Sequence, residues 1–487
     1  MSFRETLRRF EVQTRPVDSK SAAALKRRWD ALPEAQKIPS QVLGRRTTGC
    51  EGTHGVFPKC DFSCKPCYHS SDANKVRVDG PHTLKEVTAQ MQFMQDTHSP
   101  TTYAQLIGGE VSLLEPEDHA AALQIMRDHG RKPMSFTHGD FDYEYLRAIA
   151  LDSDGKPRFD ELSFACHMDV TMVGRSGIKK PSSEAELNEY RGAFCAMFDR
   201  LEREHGVKSF LAHNMTVTPG NVDQVADVVS NCWDQGWRLF SFQPAAYIGN
   251  ENRWREGFRE LTSDLVWGEV EHGVGTRLPY EGVHVGDTRC TRSTWGLWVG
   301  DQYVPSVDDR DADDRDFVAT ALETFPGNMI TQDRLTSGVR IARSVAANPK
   351  FVPSFAQWAS RFVDRAGGVG SQWRNVAAGR VRPMTFVMHQ FIDAADSAAA
   401  WEHIQLGTRA EEEKILVAQE RLEACAYIMG HPELDKAVPA CVQHAVLDIE
   451  ENRSLVKQLP LRVDDDQPKL DEASQSPSDE VAVALRR

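Results

Sequence analysis

Between about residue 46 and residue 250, short apolar runs alternate with amphipathic helical stretches, and no other feature narrows the possible folds as much. Strands joined by crossing helices pair in parallel, and the crossing has one hand, so such a chain builds a layered or barrel-like α/β sheet. Strands are predicted near Val56–Phe57, Tyr103–Ile107, Pro133–Thr137, Glu161–Cys166, Ser209–Val217 and Arg238–Gln243. Helices are predicted at Leu84–Thr97, Pro116–Gly130, Phe141–Ala150, Ala185–His205 and Asn221–Gln235. Six such units fall short of the eight of a closed TIM barrel. The expected fold is α/β: a partial (β/α)6 TIM-like barrel with an N-terminal helical extension and a mostly helical C-terminal domain.

The flanks differ in texture. Residues 1–45 are charged and helix-prone, interrupted by Pro33 and Pro39, and read as the helical extension. The barrel with a capping segment is expected over 46–305. In 250–305 the alternation lapses, and Trp254, Trp267, Trp295 and Trp298 stand among glycines in a stretch expected to cover the barrel mouth. Residues 306–460 read as the helical domain, with a long helical stretch at Ala410–Met429. The acidic run 308–316 reads as a solvated loop or helix start, because it lacks the glycine and terminal glutamate of a calcium loop. Residues 461–487 are expected to form a disordered acidic tail, since 464–480 hold seven acids, one lysine and no aromatic residue.

Composition excludes several classes. Hydrophobic residues make up 40% of the 487, enough for a full core. A net charge of −14 argues against a broad nucleic-acid surface, so no nucleic-acid partner is expected. Without a span-length apolar run or a signal-peptide core, the expected location is cytoplasmic, with no transmembrane segment. Ten cysteines are too few for a disulfide scaffold in a chain this long, and a tight cluster in a reducing compartment reads as metal or redox chemistry. Three of the ten crowd into GVFPKCDFSCKPCYHSS: Cys60, Cys64 and Cys67.

One loop of this spacing can wrap three soft thiolates around a corner of an iron–sulfur cube. A [4Fe–4S] cluster normally takes four cysteines, so three leave one iron open to an outside ligand. The competing reading is a zinc knot that recruits His69 or a distant cysteine. Zinc motifs usually come as two CxxC-like pairs, and no second pair lies nearby. One βα unit further on, LIGGEVSLLEP offers Gly108, Gly109 and Glu110 at a strand's end. Glycines there bare the main chain to a ligand, and the carboxylate can accept from an ammonium group.

CxxxCxxC after the first strand followed by GGE after the second resembles the signature of the radical S-adenosylmethionine (radical SAM) enzymes, over roughly residues 46–250. The resemblance implies that Cys60, Cys64 and Cys67 hold a [4Fe–4S] cluster whose fourth iron is chelated by the methionine part of S-adenosylmethionine (SAM). It implies that Gly108, Gly109 and Glu110 position the SAM amine. An electron from a donor such as flavodoxin or ferredoxin would then cleave SAM to methionine and a 5′-deoxyadenosyl radical, which abstracts a substrate hydrogen. Further strand ends match this layout. Thr137-His138-Gly139 resembles the family's TNG, with His138 in place of Asn. Asp169, with His167, and then Asn214, Thr216 and Gln243 fall at the fourth, fifth and sixth strand ends as cofactor-binding candidates. Pro66 stands where an aromatic residue often precedes the third cysteine, and Tyr68 follows instead as the adenine-side candidate.

Within the superfamily, the FQP, THG and xDV elements are similar to the branch of tetraether-lipid synthases and folate-linked radical methyltransferases. That implies C–C bond formation or methylation of a small-molecule or lipid substrate, such as a long alkyl chain. The first 45 residues are too short for a cobalamin module, and no side chain is singled out as catalytic. The non-enzymatic alternative is a zinc-stabilised binding protein on a barrel scaffold. Of the other cysteines, Cys166, Cys195 and Cys232 read as core thiols. Cys50 reads as able to reach the mouth. Cys290, Cys425 and Cys441, with His444 three residues beyond the last, are candidate ligands of a second metal site.

Overall fold

The computed structural model describes residues 11, 14–69, 72–247, 261–327 and 334–461. Its strands are β1 (Cys50–Gly52), β2 (Ser63–Cys64), β3 (Thr102–Leu106), β4 (Arg131–Thr137), β5 (Glu161–His167), β6 (Met172–Val173), β7 (Lys208–Val217), β8 (Leu239–Pro244), β9 (Thr291–Val299), β10 (Gln302–Pro305), β11 (Val381–His389), β12 (Tyr427–His431) and β13 (Lys436–Pro439). The main sheet runs β10-β9-β11-β8-β7-β5-β4-β3-β1-β12-β13, while β2 and β6 form a separate ribbon. Six parallel strands, β1, β3, β4, β5, β7 and β8, make the expected partial barrel. Helices Gly80–Thr97, Pro116–Asp128, Tyr143–Ala150, Asn188–His205 and Val225–Cys232 return the chain between them.

Local chemistry sets these boundaries. Asp79 accepts the His82 N–H at 2.9 Å, and Asp142 accepts the Tyr145 N–H at 2.8 Å, so each caps the helix that follows it. Gly206, at φ +73°, closes Asn188–His205 with the left-handed turn that glycine adopts without strain. Helices and neighbouring strands cover the sheet, so its strands are apolar almost throughout. Leu106, Phe164, Phe240, Phe242 and Phe386 join one continuous core from β3 to β11.

The chain after the barrel adds strands at both sides of it. β11 lies parallel to β8, and β12 lies parallel to β1, so eight contiguous strands run parallel. The expected long helix Ala410–Met429 stops at Glu423, where a short apolar run leads into β12 and buries Met429 in the sheet. The first strand is also not where Val56–Phe57 predicted it. Those two residues are buried, at 1% and 0% exposure, but they pack beneath the glycine turn, and the ladder forms six residues earlier. An apolar pair signals burial, not pairing. Cys50 therefore sits at the start of β1, at the end of the sheet away from the strand ends that carry the site.

Other expectations fall out variously. Trp267 and Trp298 are core residues at 3% exposure and do not cover a mouth, whereas Trp295 is partly exposed on β9. Trp254, the residues 462–487 read as a tail, and most of the first thirteen residues lie outside the described residues. The acidic run starts helix Ala312–Thr324, and its Asp314 is fully buried against Arg361 and Arg365. Cys166, Cys195 and Cys232 are core thiols. Among the described residues no helix is long and apolar enough to cross a membrane.

Candidate functional site

The loop between β1 and helix Gly80–Thr97 carries Cys60, Cys64 and Cys67, none in a disulfide and all partly exposed. Main-chain bonds fasten the start of this loop to the glycine turn after β3. Gly109 N donates to Phe57 O at 2.7 Å, and Glu110 N donates to Lys59 O at 2.9 Å. The approach is so close that a Cβ on Gly109 would meet Lys59 O and Pro58 O at 2.1 and 2.3 Å, and one on Gly108 would meet the Phe57 ring at 2.6 Å. Both glycines are thus required by contact with the cysteine loop itself.

The middle of the loop is held elsewhere. Ser63 and Cys64 pair with Val173 and Met172 in the β2–β6 ribbon, and Lys65 N donates to Thr171 O at 3.0 Å. Cys60 N donates to Asn74 Oδ1 at 3.0 Å. At the far end, His69 bonds Gly108 O through Nε2 and Asp448 Oδ1 through Nδ1 at 3.3 Å, which ties the loop to helix Asp448–Gln458. No local pattern marks Asp61, Phe62, Asn74, His69 and Asp448 as positioning groups, because their partners lie between 14 and 379 positions away and are set by tertiary approach.

Glu110 is fully buried and its carboxylate accepts from Ser112 N at 2.9 Å, Thr137 Oγ1 at 2.7 Å and His138 N at 2.8 Å. His138 continues from there into the cysteine loop. Its Nε2 lies 2.8 Å from Asp61 Oδ1, and its ring stacks on Phe62 with centroids 3.8 Å apart. Burial works against the imidazolium, but Glu110 and Asp61 outweigh it and hold the His138 pKa above its ordinary value. Cys60 Sγ, an Asp61 oxygen and a His138 nitrogen lie within 4.8 Å of one another. Burial and the Glu110 charge push the Cys60 thiol upward.

At the ends of β5 and β7, Asp169 accepts from Thr171 N and Thr216 N, both at 2.8 Å, and pairs with His167 Nε2 at 2.8 Å. Burial opposes its charge, yet these bonds bring its pKa below the ordinary value. Thr216 Oγ1 also lies 3.0 Å from His167 Nε2. Asn214 is 4% exposed, and its side chain makes no hydrogen bond among the described residues. Gln243 donates to Ser241 Oγ at 2.8 Å, while its Oε1 is buried with no partner among the described residues. Tyr68 packs against His444, with centroids 4.3 Å apart, and Phe391, at 6.3 Å. Phe391 in turn lines a cavity of about 460 Å³ together with Asp393, Asp396, Lys414 and Arg421.

At the candidate second site Cys290, Cys425 and Cys441 are neighbours: burial, and after it the adjacent thiols, raise the pKa values of Cys290 and Cys441. Cys290 Sγ accepts from Arg421 Nε at 3.1 Å, Cys425 Sγ donates to Tyr427 O at 3.0 Å, Cys441 is buried in a satellite core, and His444 faces Tyr68. Among the described residues, the two groups with three ligand atoms all within 4.8 Å are Cys60–Asp61–His138 and His54–His431–Glu433, and none of these four residues belongs to either.

No protein-family model matches the chain, and no curated protein does. Among solved structures, Streptococcus suis SuiB matches at 13% identity and a TM-score of 0.28, over 43% of this chain and 41% of that one. SuiB bound to S-adenosylmethionine matches similarly, over 40% of each chain. Native anSMEcpe with bound AdoMet matches at 14% identity and a TM-score of 0.26, over 41% of this chain and 51% of that one. The matched part is thus about half, or less, of these proteins' own length.

Proposed function

We propose that the chain is a radical SAM enzyme, with Cys60, Cys64 and Cys67 holding a [4Fe–4S] cluster and the GGE turn binding the amino-acid end of SAM. One observation carries this reading: Gly109 and Glu110 are bonded by main chain to Phe57 and Lys59, so the glycine turn and the thiol loop form one unit at the strand ends. Ligands in parallel α/β sheets bind at those ends.

The residues fit the group. Three thiols in one loop, none in a disulfide, are a soft donor set. Gln243 Oε1 and the Asn214 amide are polar groups at the strand ends with no protein partner among the described residues. A buried polar group left so is costly, and a bound cofactor would satisfy it. When bound, the cluster and SAM would supply a 5′-deoxyadenosyl radical on reduction. The chain's own part is to position and enclose. Asn214, Gln243, Thr216 and Tyr68 contribute the cofactor side, Asp169 fixes Thr216 and His167, and His138 and Glu110 hold the loop. The product proposed from the branch resemblance is a new C–C bond or a methyl group on a small-molecule or lipid substrate, with the electron coming from a flavodoxin- or ferredoxin-like donor.

The zinc alternative fits less well. Both nitrogens of His69 are engaged by Gly108 and Asp448, and the triplet is not among the groups whose ligand atoms lie within 4.8 Å of each other, as one ion requires. Anaerobic reconstitution separates the two. The proposed enzyme takes up about four irons and four sulfides and forms 5′-deoxyadenosine under reduction, and Cys64→Ala abolishes both. Stoichiometric zinc with no SAM binding, or 5′-deoxyadenosine formed by the variant, would refute the reading.

A further inference from the structure

Residues 334–380 carry eight lysines and arginines against one acid, Asp364, a local charge of +7 in a chain of −14. They form helices Arg334–Ala347, Phe351–Arg365 and Gly368–Ala377. No side chain of the last two is buried. Phe351–Arg365 docks along one side only. Trp358 stacks on Phe317 with centroids 4.7 Å apart and donates Nε1–H to Ser306 O at 2.7 Å, while Arg361 and Arg365 pair with Asp314.

The outward side is apolar. Val369, Trp373 and Val376 follow at the four- and three-residue spacing of one helix face and are 76%, 74% and 57% exposed. Val352 on the neighbouring helix is 56% exposed, while Phe355, at 45%, edges the docked aromatic cluster with Phe317 and Trp358. Single exposed apolar residues are ordinary, but seven of the twelve large ones exposed among the described residues fall in this segment. Lys350 and Arg374, beside Phe351 and Trp373, have no ion-pair partner among the described residues.

We propose that helices Phe351–Arg365 and Gly368–Ala377 are a peripheral docking face for an anionic lipid bilayer. A tryptophan-centred apolar stripe flanked by basic residues suits the boundary between headgroups and acyl chains, where the rings enter and the cations stay with the phosphates. Arg361 and Arg365 are neutralised by Asp314 and Arg380 by Asp301, so it is Lys350 and Arg374, beside the apolar stripe, that select anionic lipid. A second copy of the chain would set Lys350 and Arg374 against the same cations of its partner, which like-charge repulsion disfavours. Helix Gly368–Ala377 is too short to span, so it lies in the surface. Gly300 N bonds Arg380 O at 2.8 Å just before β11 begins, so the face adjoins the end of the sheet opposite the cysteine loop. It anchors the protein and leaves the strand ends toward water. The proposal is independent of what the cysteines bind.

The test is co-sedimentation of the full chain with vesicles of phosphatidylcholine, with and without phosphatidylglycerol. The full chain should sediment with anionic vesicles, be released by high salt, and stay in solution with neutral ones. A chain carrying Val369→Ser, Trp373→Ser and Val376→Ser should partition at least about tenfold less, as should Lys350→Glu with Arg374→Glu, while melting temperatures stay unchanged because all five side chains are exposed or half-exposed. Failure of the parent chain to sediment, or undiminished sedimentation of the triple variant, overturns the proposal. So does a dimer dispersed by Trp373→Ser without vesicle binding, which assigns the face to a second copy. Vesicle binding only after removal of residues 462–487 assigns it to the acidic C-terminal segment and overturns the proposal likewise.

Discussion

His138 Nε2 lies 2.8 Å from Asp61 Oδ1, and this contact joins the end of β4 to the loop that carries all three clustered cysteines. The same ring stacks on Phe62, and Arg175 donates to the His138 carbonyl at 2.6 Å. His138 stands where the resembled family has Asn, and the longer side chain is what reaches the loop. It is a positioning residue, acting on the proposed cluster ligands through Asp61 and Phe62. His138→Ala should loosen the loop by the value of one charge-assisted hydrogen bond, about 1.5–3 kcal/mol. Hydrogen exchange across residues 58–67 is expected to accelerate about tenfold or more, with a changed spectrum of the reconstituted cluster. If the loop stays as protected as in the parent chain, the contact holds nothing.

Gly109→Ala tests the main-chain link between the two motifs. The obstacles to its Cβ are the carbonyls of Lys59 and Pro58, which no rotamer change can move. The loop must shift bodily next to Cys60. The expected outcome is a folded barrel with normal circular dichroism that retains little iron after anaerobic reconstitution. Full iron incorporation would mean that the loop tolerates displacement and that the link is incidental.

Asn214→Ala removes a side chain with no hydrogen bond among the described residues, so the fold should barely respond. SAM affinity should fall by the net worth of one hydrogen bond, about 1 kcal/mol or roughly fivefold. Equilibrium dialysis of the reconstituted protein measures it. Equal affinity in the variant and the parent would take Asn214 out of the cofactor site.

What was legible in the sequence was local. The period of the apolar runs located five of the six barrel strands, and the Cys60, Cys64, Cys67 and Gly108-Gly109-Glu110 motifs singled out a loop and a turn that the main chain bonds together. Val56–Phe57 misled because burial beneath a turn and burial in a strand leave the same apolar pair. The bracing of the site was not legible. Asp61–His138, His69–Asp448 and the Ser63–Cys64 pairing with Met172–Val173 are set by tertiary approach, which no periodicity encodes. Nor was the insertion of β11 and β12 beside the barrel, since short strands amid long helices carry too few residues to establish a period of two.

His119 predicts an acid-sensitive fold. It is fully buried, with Nδ1 3.1 Å from Tyr145 Oη and Nε2 2.8 Å from Ser135 Oγ. Burial pushes its pKa from the ordinary 6.5 down to about 3. The folded value lies below the unfolded one, so the unfolded chain binds the extra proton. The stability that depends on the neutral ring is fully present above pH 6.5 and declines as pH falls from there toward 3. One such group contributes a slope of about 1.4 kcal/mol per pH unit. His54 works in the opposite sense: burial opposes its charge, but Glu451 outweighs burial and raises its pKa, so its contribution holds below pH 6.5 and fades as pH rises through the folded value. The two are separated by His119→Gln, whose amide can still meet both hydroxyls but takes up no proton. Melting temperature against pH should decline less steeply between 6.5 and 5 in this variant than in the parent chain. An equally steep decline would mean that the ring at 119 does not govern acid sensitivity.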